Sequence, residues 1–306
     1  MTVPTRHATY PLLLVVALAL FQCTTCQAQP LPSTPAEPIP ERASEPFWSF
    51  DGQHILFTGG AYPLTDLYKA EADGSNIVAL TKHEAADHYG SLSPDGSQVL
   101  FNSNRGGTWA VWVMHADGSN PTPLAETSTR DSDPTRPVWS PDGAQIAYSV
   151  LAGEQRDLYV MHADGSNQRL VMQDARDPAW SPDGLWLAFA SERDGQREIY
   201  FVNLDGSGLT RVTQNDARDS LPSWSPDGTR LVYLTGAHGL PNWELYTIRT
   251  DGSDARRITE NSDWDFYPAW SPTNDEIVFV SIRDGQSMPH LYGVSSTGKN
   301  LRHILP

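Results

Sequence analysis

The motif Trp-Ser-Pro-Asp-Gly, which begins at Trp139, Trp180 and Trp224, recurs as Trp48-Ser-Phe-Asp-Gly, Leu92-Ser-Pro-Asp-Gly and Trp270-Ser-Pro-Thr-Asn. A second landmark, Asp-Gly-Ser, begins at Asp73, Asp117, Asp164, Asp205 and Asp251, with Thr297-Gly298 in the last copy. The two landmarks lie 25 residues apart in four copies and 27 in two, and successive copies start 41 to 47 residues apart. A period of that length means that one supersecondary unit is repeated, and a unit so short cannot bury its own apolar face. Six similar pieces must therefore pack on one another.

Each copy holds four short candidate strands. The first ends at the Trp, the second is an apolar run such as Leu187-Ala-Phe, the third contains Ile199-Tyr-Phe, and the fourth resembles Thr210-Arg-Val-Thr. In Ser-Pro-Asp-Gly the proline presets a negative φ early in the turn and the glycine takes the positive φ that follows. Asp-Gly-Ser is a hairpin signal of the same kind. Four antiparallel strands per unit, six units packed radially, give an all-β fold: a six-bladed β-propeller with a central channel. Its expected extent is 46–306, with blades at about 46–90, 91–136, 137–177, 178–221, 222–267 and 268–306. Each blade is expected to be complete in itself, so that side-chain packing between blades one and six closes the ring.

Pro-x-Trp-Ser-Pro-Asp-Gly, an Ile/Leu-Tyr strand, Asp-Gly-Ser and a Leu/Ile-Thr strand together resemble the repeat of the TolB-like six-bladed propellers. The resemblance implies an interaction role in the cell envelope, with a partner such as a peptidoglycan-associated lipoprotein. TolB itself carries an α/β domain before its propeller, whereas here a linker leads straight into blade one. The same repeat also occurs beside the hydrolase domain of prolyl-oligopeptidase-like enzymes and in some polysaccharide lyases. TolB-like propellers can hold ions in their channels, which implies a divalent cation, calcium, as the one candidate ligand of that kind; no cofactor is required.

Residues 1–28 differ in kind from the rest. Arg6 and His7 precede the apolar run Leu12–Phe21, and Cys26-Gln27-Ala28 offers small residues for cleavage, so a secretory signal peptide is expected, with an uncleaved anchor as the alternative. The run is too short for a bilayer, which needs about 20 apolar residues. Both cysteines, Cys23 and Cys26, fall in this segment, so the mature chain is expected to have neither disulfide nor thiolate chemistry. The proline-rich stretch 29–45 reads as a solvated spacer. An exported, periplasmic or secreted monomer without membrane insertion is the expectation. With 21 basic and 37 acidic residues, a formal net charge of −16, nucleic acid is excluded as a default partner.

Alternation through four strands puts both repeated turns on one face of the disc. The loops between strands two and three, and the links between blades, fall on the other. These variable segments are where binding residues are expected: His88, Tyr89, Asp133, Arg136, Arg176, Asp177, Arg218, Asp219, Trp264, Asp265 and Tyr267, around the channel mouth. An equally open reading is that the Asp and Arg side chains pair across blades to hold the ring. No catalytic residue is assigned. Gly-x-Ser-x-Gly, a Walker loop and a dinucleotide fingerprint are all missing, and His83-Glu-Ala-Ala-Asp-His88 spaces its histidines five apart where a zinc helix needs four. The Asp-Gly-Ser-Asn turns lack the alternating acidic ligands of a calcium loop. The leading expectation is a non-enzymatic protein- or peptide-binding scaffold. Its rival is a metal-assisted carbohydrate lyase or hydrolase using His88, Tyr89, Asp133, Asp177, Asp219, Asp265 and Tyr267; a small-ligand sensor stays open.

Overall fold

The computed structural model describes residues 40–305, apart from 41, 62, 129–135, 238–242, 263, 284 and 286. Every regular element among them is a strand, and the strands form six four-stranded antiparallel sheets, each from four consecutive strands. The first and sixth sheets are no exception, so among the described residues no strand is exchanged to close the ring. Among the described residues no helix is long and apolar enough to cross a membrane.

The repeated turns are built alike. In blade three Ser140 Oγ donates to Asp142 Oδ1 at 2.5 Å, Asp142 Oδ1 accepts the Ala144 amide at 3.0 Å, and Gly143 stands at φ +71°. Ser181, Ser225 and Ser93 make the same bond to Asp183, Asp227 and Asp95. In the second turn the aspartate accepts the amide two residues on, as Asp205 does from Ser207 at 2.9 Å. These carboxylates close the turn by local bonds; for Asp142 the bond from Ser140 is the main reason its pKa is held below the ordinary value.

First strands neighbour first strands around the ring, which makes them the wall of the channel. They run Ala43–Trp48, Asp87–Leu92, Val138–Trp139, Arg176–Trp180, Asp219–Trp224 and Asp265–Trp270. The residues read from sequence as interblade links, His88, Tyr89, Arg176, Asp177, Asp219, Asp265 and Tyr267, thus belong to the inner strands themselves. The first strand also starts at Ala43, inside the stretch read as spacer. The cause is a β-bulge. In blades one, two, four, five and six the pairing with the second strand slips by one residue, as between Ser44 and Phe47. A bulge breaks the two-residue alternation by which a strand is recognised.

The core lies between blades. Six buried clusters each draw on two neighbouring blades, Val138, Leu158 and Val160 meeting Leu187, Phe189 and Tyr200 in one of them. The repeat tryptophans pin the same interfaces: Trp180, Trp224 and Trp48 donate their indole N–H to the backbone carbonyls of Val138, Ala179 and Ala269 in the preceding blade, at 3.1–3.2 Å.

Candidate functional site

The bulge residue stands three positions before each repeat Trp or Leu. In five blades it takes a left-handed backbone: Glu45, Tyr89, Asp177, Leu221 and Tyr267, with φ between 51° and 56°. Arg136 holds the equivalent place in blade three. These six residues form a ring midway along the channel. The Tyr89 and Tyr267 rings meet edge to face at 6.2 Å. Arg136 is buried; burial lowers its pKa, and the attraction of the Asp177 and Glu45 carboxylates works against that. Burial, together with Tyr267, Glu45 and Asp177, pushes the Tyr89 phenol well above its ordinary value, so both tyrosines are neutral donors at physiological pH.

His88 joins blade two to blade one. Its Nδ1 lies 3.0 and 3.1 Å from the Glu45 carboxylate oxygens, its Nε2 lies 3.2 Å from Thr65 Oγ1, and the Tyr89 amide and Thr58 hydroxyl also donate to Glu45. Burial opposes both charges. The ion pair outweighs it, so the imidazole pKa is raised and the carboxyl pKa lowered.

Asp87, Asp219 and Asp265 open their inner strands and are completely buried. Asp87 binds Arg105 at 2.6 Å. Asp265 accepts Arg283 Nη2 at 2.9 and 3.0 Å, Ser281 at 2.6 Å and Asn261 at 2.8 Å. Asp219 accepts Asn215 at 2.8 Å; burial pushes its pKa up to about 6 against the hydrogen bonds of Thr235, Asn215 and Thr213. Arg105 and Arg283 belong to the same blades as Asp87 and Asp265, whereas Asn215 and Asn261 lie in the links arriving from the preceding blade, so these carboxylates hold an inner strand to its own blade or to the link before it. Asp133 lies outside the described residues. Among the described residues no three His, Cys, Asp or Glu side chains come together as metal ligands.

On the loop face, Arg197 binds Glu192 at 2.7 Å, and Arg176 and Arg218 also act on that carboxylate, which is held below its ordinary pKa chiefly by the Arg197 bond. Trp264 is 43% exposed on the same face, its ring edge to face with Phe266 at 5.4 Å.

The opposite mouth is different. Inner strands run from the loop face to the turn face, so the tryptophans and the prolines after them crowd the turn end of the channel. They enclose a cavity of about 280 Å³ whose wall holds Trp48, Trp139, Trp180, Trp224 and Trp270, with Arg136 on its floor. Sequence reasoning placed Tyr89, Arg136, Asp177 and Tyr267 in the site list, and the structure gathers these four in one ring. It missed Glu45 and Leu221, which counting back three residues from each landmark would have found. It also missed the funnel, because the Trp-Ser-Pro run reads as framework.

The TolB beta propeller domain family matches residues 126–305, more than half of the chain. Over 90 residues the chain is 32% identical to the Tol-Pal system protein TolB of Anaeromyxobacter dehalogenans (strain 2CP-1), an alignment covering 29% of this chain and 20% of that protein. Over 84 residues it is 30% identical to an uncharacterized protein of Agrobacterium fabrum (strain C58), covering 28% of this chain and 29% of the relative. The chain thus spans less than a third of the length of these curated relatives. Among solved structures, TolB from Acinetobacter baumannii has the same fold, with a TM-score of 0.69 at 17% identity over 85% of this chain and 62% of that chain.

Proposed function

The chain belongs to the TolB beta propeller domain family, and from that premise we propose that it is an exported cell-envelope protein that docks a protein partner on its loop face without chemistry of its own. The observation that carries this reading is the gathering of Arg176, Arg197 and Arg218 around Glu192, on a chain whose formal net charge is −16. A basic corner on an acidic molecule steers and orients an acidic segment of a partner. The exposed Trp264 on the same face adds the kind of aromatic anchor on which interfaces depend. Of the carboxylates that a hydrolytic or lyase mechanism would draw on, Asp219 is engaged by Asn215 and Asp265 by Arg283, Ser281 and Asn261. Export rests on the composition of residues 1–28. One relative is a Tol-Pal system protein, which makes a peptidoglycan-associated lipoprotein the first partner to test.

The experiment is capture from envelope extract, followed by titration with the purified lipoprotein. Replacing Arg176 and Arg218 together by Glu is expected to weaken binding by about tenfold or more and to flatten its salt dependence. Undiminished binding by a folded double variant would remove the loop face from the proposal.

A further inference from the structure

The turn-face funnel has walls of one chemistry and a floor of another. Its walls are indole, phenyl, proline and small side chains, Ser223 the one hydroxyl; among the described residues its only charged lining residue is Arg136. Arg136 is 8% exposed, and its Nη1 has no hydrogen-bond partner among the described residues. A guanidinium stays charged even when buried, and a desolvated N–H without an acceptor is destabilising until one is supplied. The neighbouring anions do not supply it. Glu45 is engaged by His88, Thr58 and the Tyr89 amide, and Asp177 attracts Arg136 electrostatically without a hydrogen bond to Nη1. The Phe47 ring lies 5.8 Å from the guanidinium carbon, a face that shields the cation from water.

We propose that this funnel binds an apolar group carrying one carboxylate, with Arg136 Nη1 donating to the carboxylate and the repeat tryptophans enclosing the apolar body. A single orphaned N–H beside two resident carboxylates favours a monoanion; a phosphate or a second negative charge would be repelled by Asp177 and Glu45. A volume of about 280 Å³ lies near the lower bound of small-ligand cavities, roughly 300 Å³. It admits one aromatic or branched side chain and excludes a nucleotide or an oligosaccharide. Such a group occurs in two forms, a free apolar amino-acid derivative and the last residue of a peptide with a free C-terminus. The site is on the opposite face from the loop-face docking surface and does not depend on it.

Tryptophan fluorescence of the folded protein reads the funnel directly. Four probes decide the matter: N-acetyl-phenylalanine and its amide, and a pentapeptide ending in Phe with a free or an amidated C-terminus. Saturable quenching by the acids is expected, with the amides weaker by about tenfold or more, the usual cost of losing a charged partner in a buried site. Arg136→Gln should abolish that preference while the circular dichroism spectrum is kept. Binding by the pentapeptide acid alone would identify a chain terminus as the ligand, and binding by both acids would identify the carboxylated apolar group itself. Equal binding of acid and amide, or no saturable quenching by any probe, overturns the proposal on the wild-type protein alone, even if Arg136→Gln does not fold. Retention of the acid preference by a folded Arg136→Gln protein overturns it as well.

Discussion

At two of the second turns a side chain in place of the glycine would collide with the preceding blade. Gly74 has a φ of +89°, and a Cβ there would sit 2.2 Å from the Ile304 carbonyl oxygen of blade six. Gly118 stands in the same relation to the Leu80 carbonyl of blade one, also at 2.2 Å. Asp-Gly-Ser is therefore a turn and an interface at once. Gly96, in the first turn, has a φ of +71° and nothing within 4 Å of its would-be Cβ. The two glycines separate the cost of backbone conformation from that of packing. Gly96→Ala is expected to destabilise by about 1 kcal/mol, the left-handed penalty alone, and Gly74→Ala by about 3 kcal/mol, since a backbone oxygen cannot swing aside. Urea unfolding of both variants measures the difference; equal losses would mean that blades one and six are not held this tightly. The turn was legible in the sequence because its signal is local. The interface was not, because the atom that forbids a side chain comes from another blade, at Gly74 from the far end of the chain.

The inner strand carries the polar centre, and its bulge explains what could be read of it. Landmark spacing made the number of blades and strands plain, since each hairpin announces itself within five residues. Asp87-His-Tyr and Arg176-Asp-Pro looked like links because a bulge and a left-handed residue destroy alternation. Glu45 was hidden in a proline-rich context, and Leu221 offers no chemistry to notice. Burial sorted the rest: nothing local to Asp265 says that Arg283 will reach it. The His88–Glu45 pair is the strand-level contact whose effect can be measured. The histidine's folded pKa is above 6.5 and the glutamate's below 4.5. The histidine's contribution is complete below pH 6.5 and lost as pH rises through its folded pKa. The glutamate's is complete above pH 4.5 and lost as pH falls through its own. Full stabilisation therefore lies between those values. His88→Asn leaves Glu45 buried without its cation and should cost roughly 3 kcal/mol at pH 5.5. The gap between wild type and variant should narrow as pH rises through the raised folded pKa of His88, with Asp87 the other carboxylate acting on it. A gap independent of pH would show that packing against Trp109, 5.6 Å away, matters and the charge does not.

At the scale of the molecule, the ring is closed by the same kinds of contact that join other neighbouring blades. Trp48 donates to Ala269 as Trp180 does to Val138, and Ala43, Ile55 and Phe57 share a core with Val278, Val280, Ile304 and Leu305. Arg302 Nη2 adds a 2.9 Å bond to the Ala72 carbonyl. Among the described residues no strand crosses this junction, so its strength rests on contacts between blade one and several strands of blade six, the fourth, Arg302–Leu305, contributing Ile304 and Leu305 to the shared core. A closed ring has no terminal blade; opening one junction creates two, each with an apolar face turned to water. Ending the chain at Leu301 removes Ile304 and Leu305, 7% and 1% exposed, and two such side chains correspond to about 3–6 kcal/mol of burial. That is a large part of the 5–15 kcal/mol or so by which a protein is stable at all. The truncated protein should melt well below the full chain, and limited proteolysis should cut first in blades one and six. The same loss should follow from Ile304→Asp in the full-length chain, which leaves the strand in place and fails only the shared core. An unchanged melting temperature in both would mean that the ring holds as an open arc of five interfaces, with the junction between its ends adding nothing.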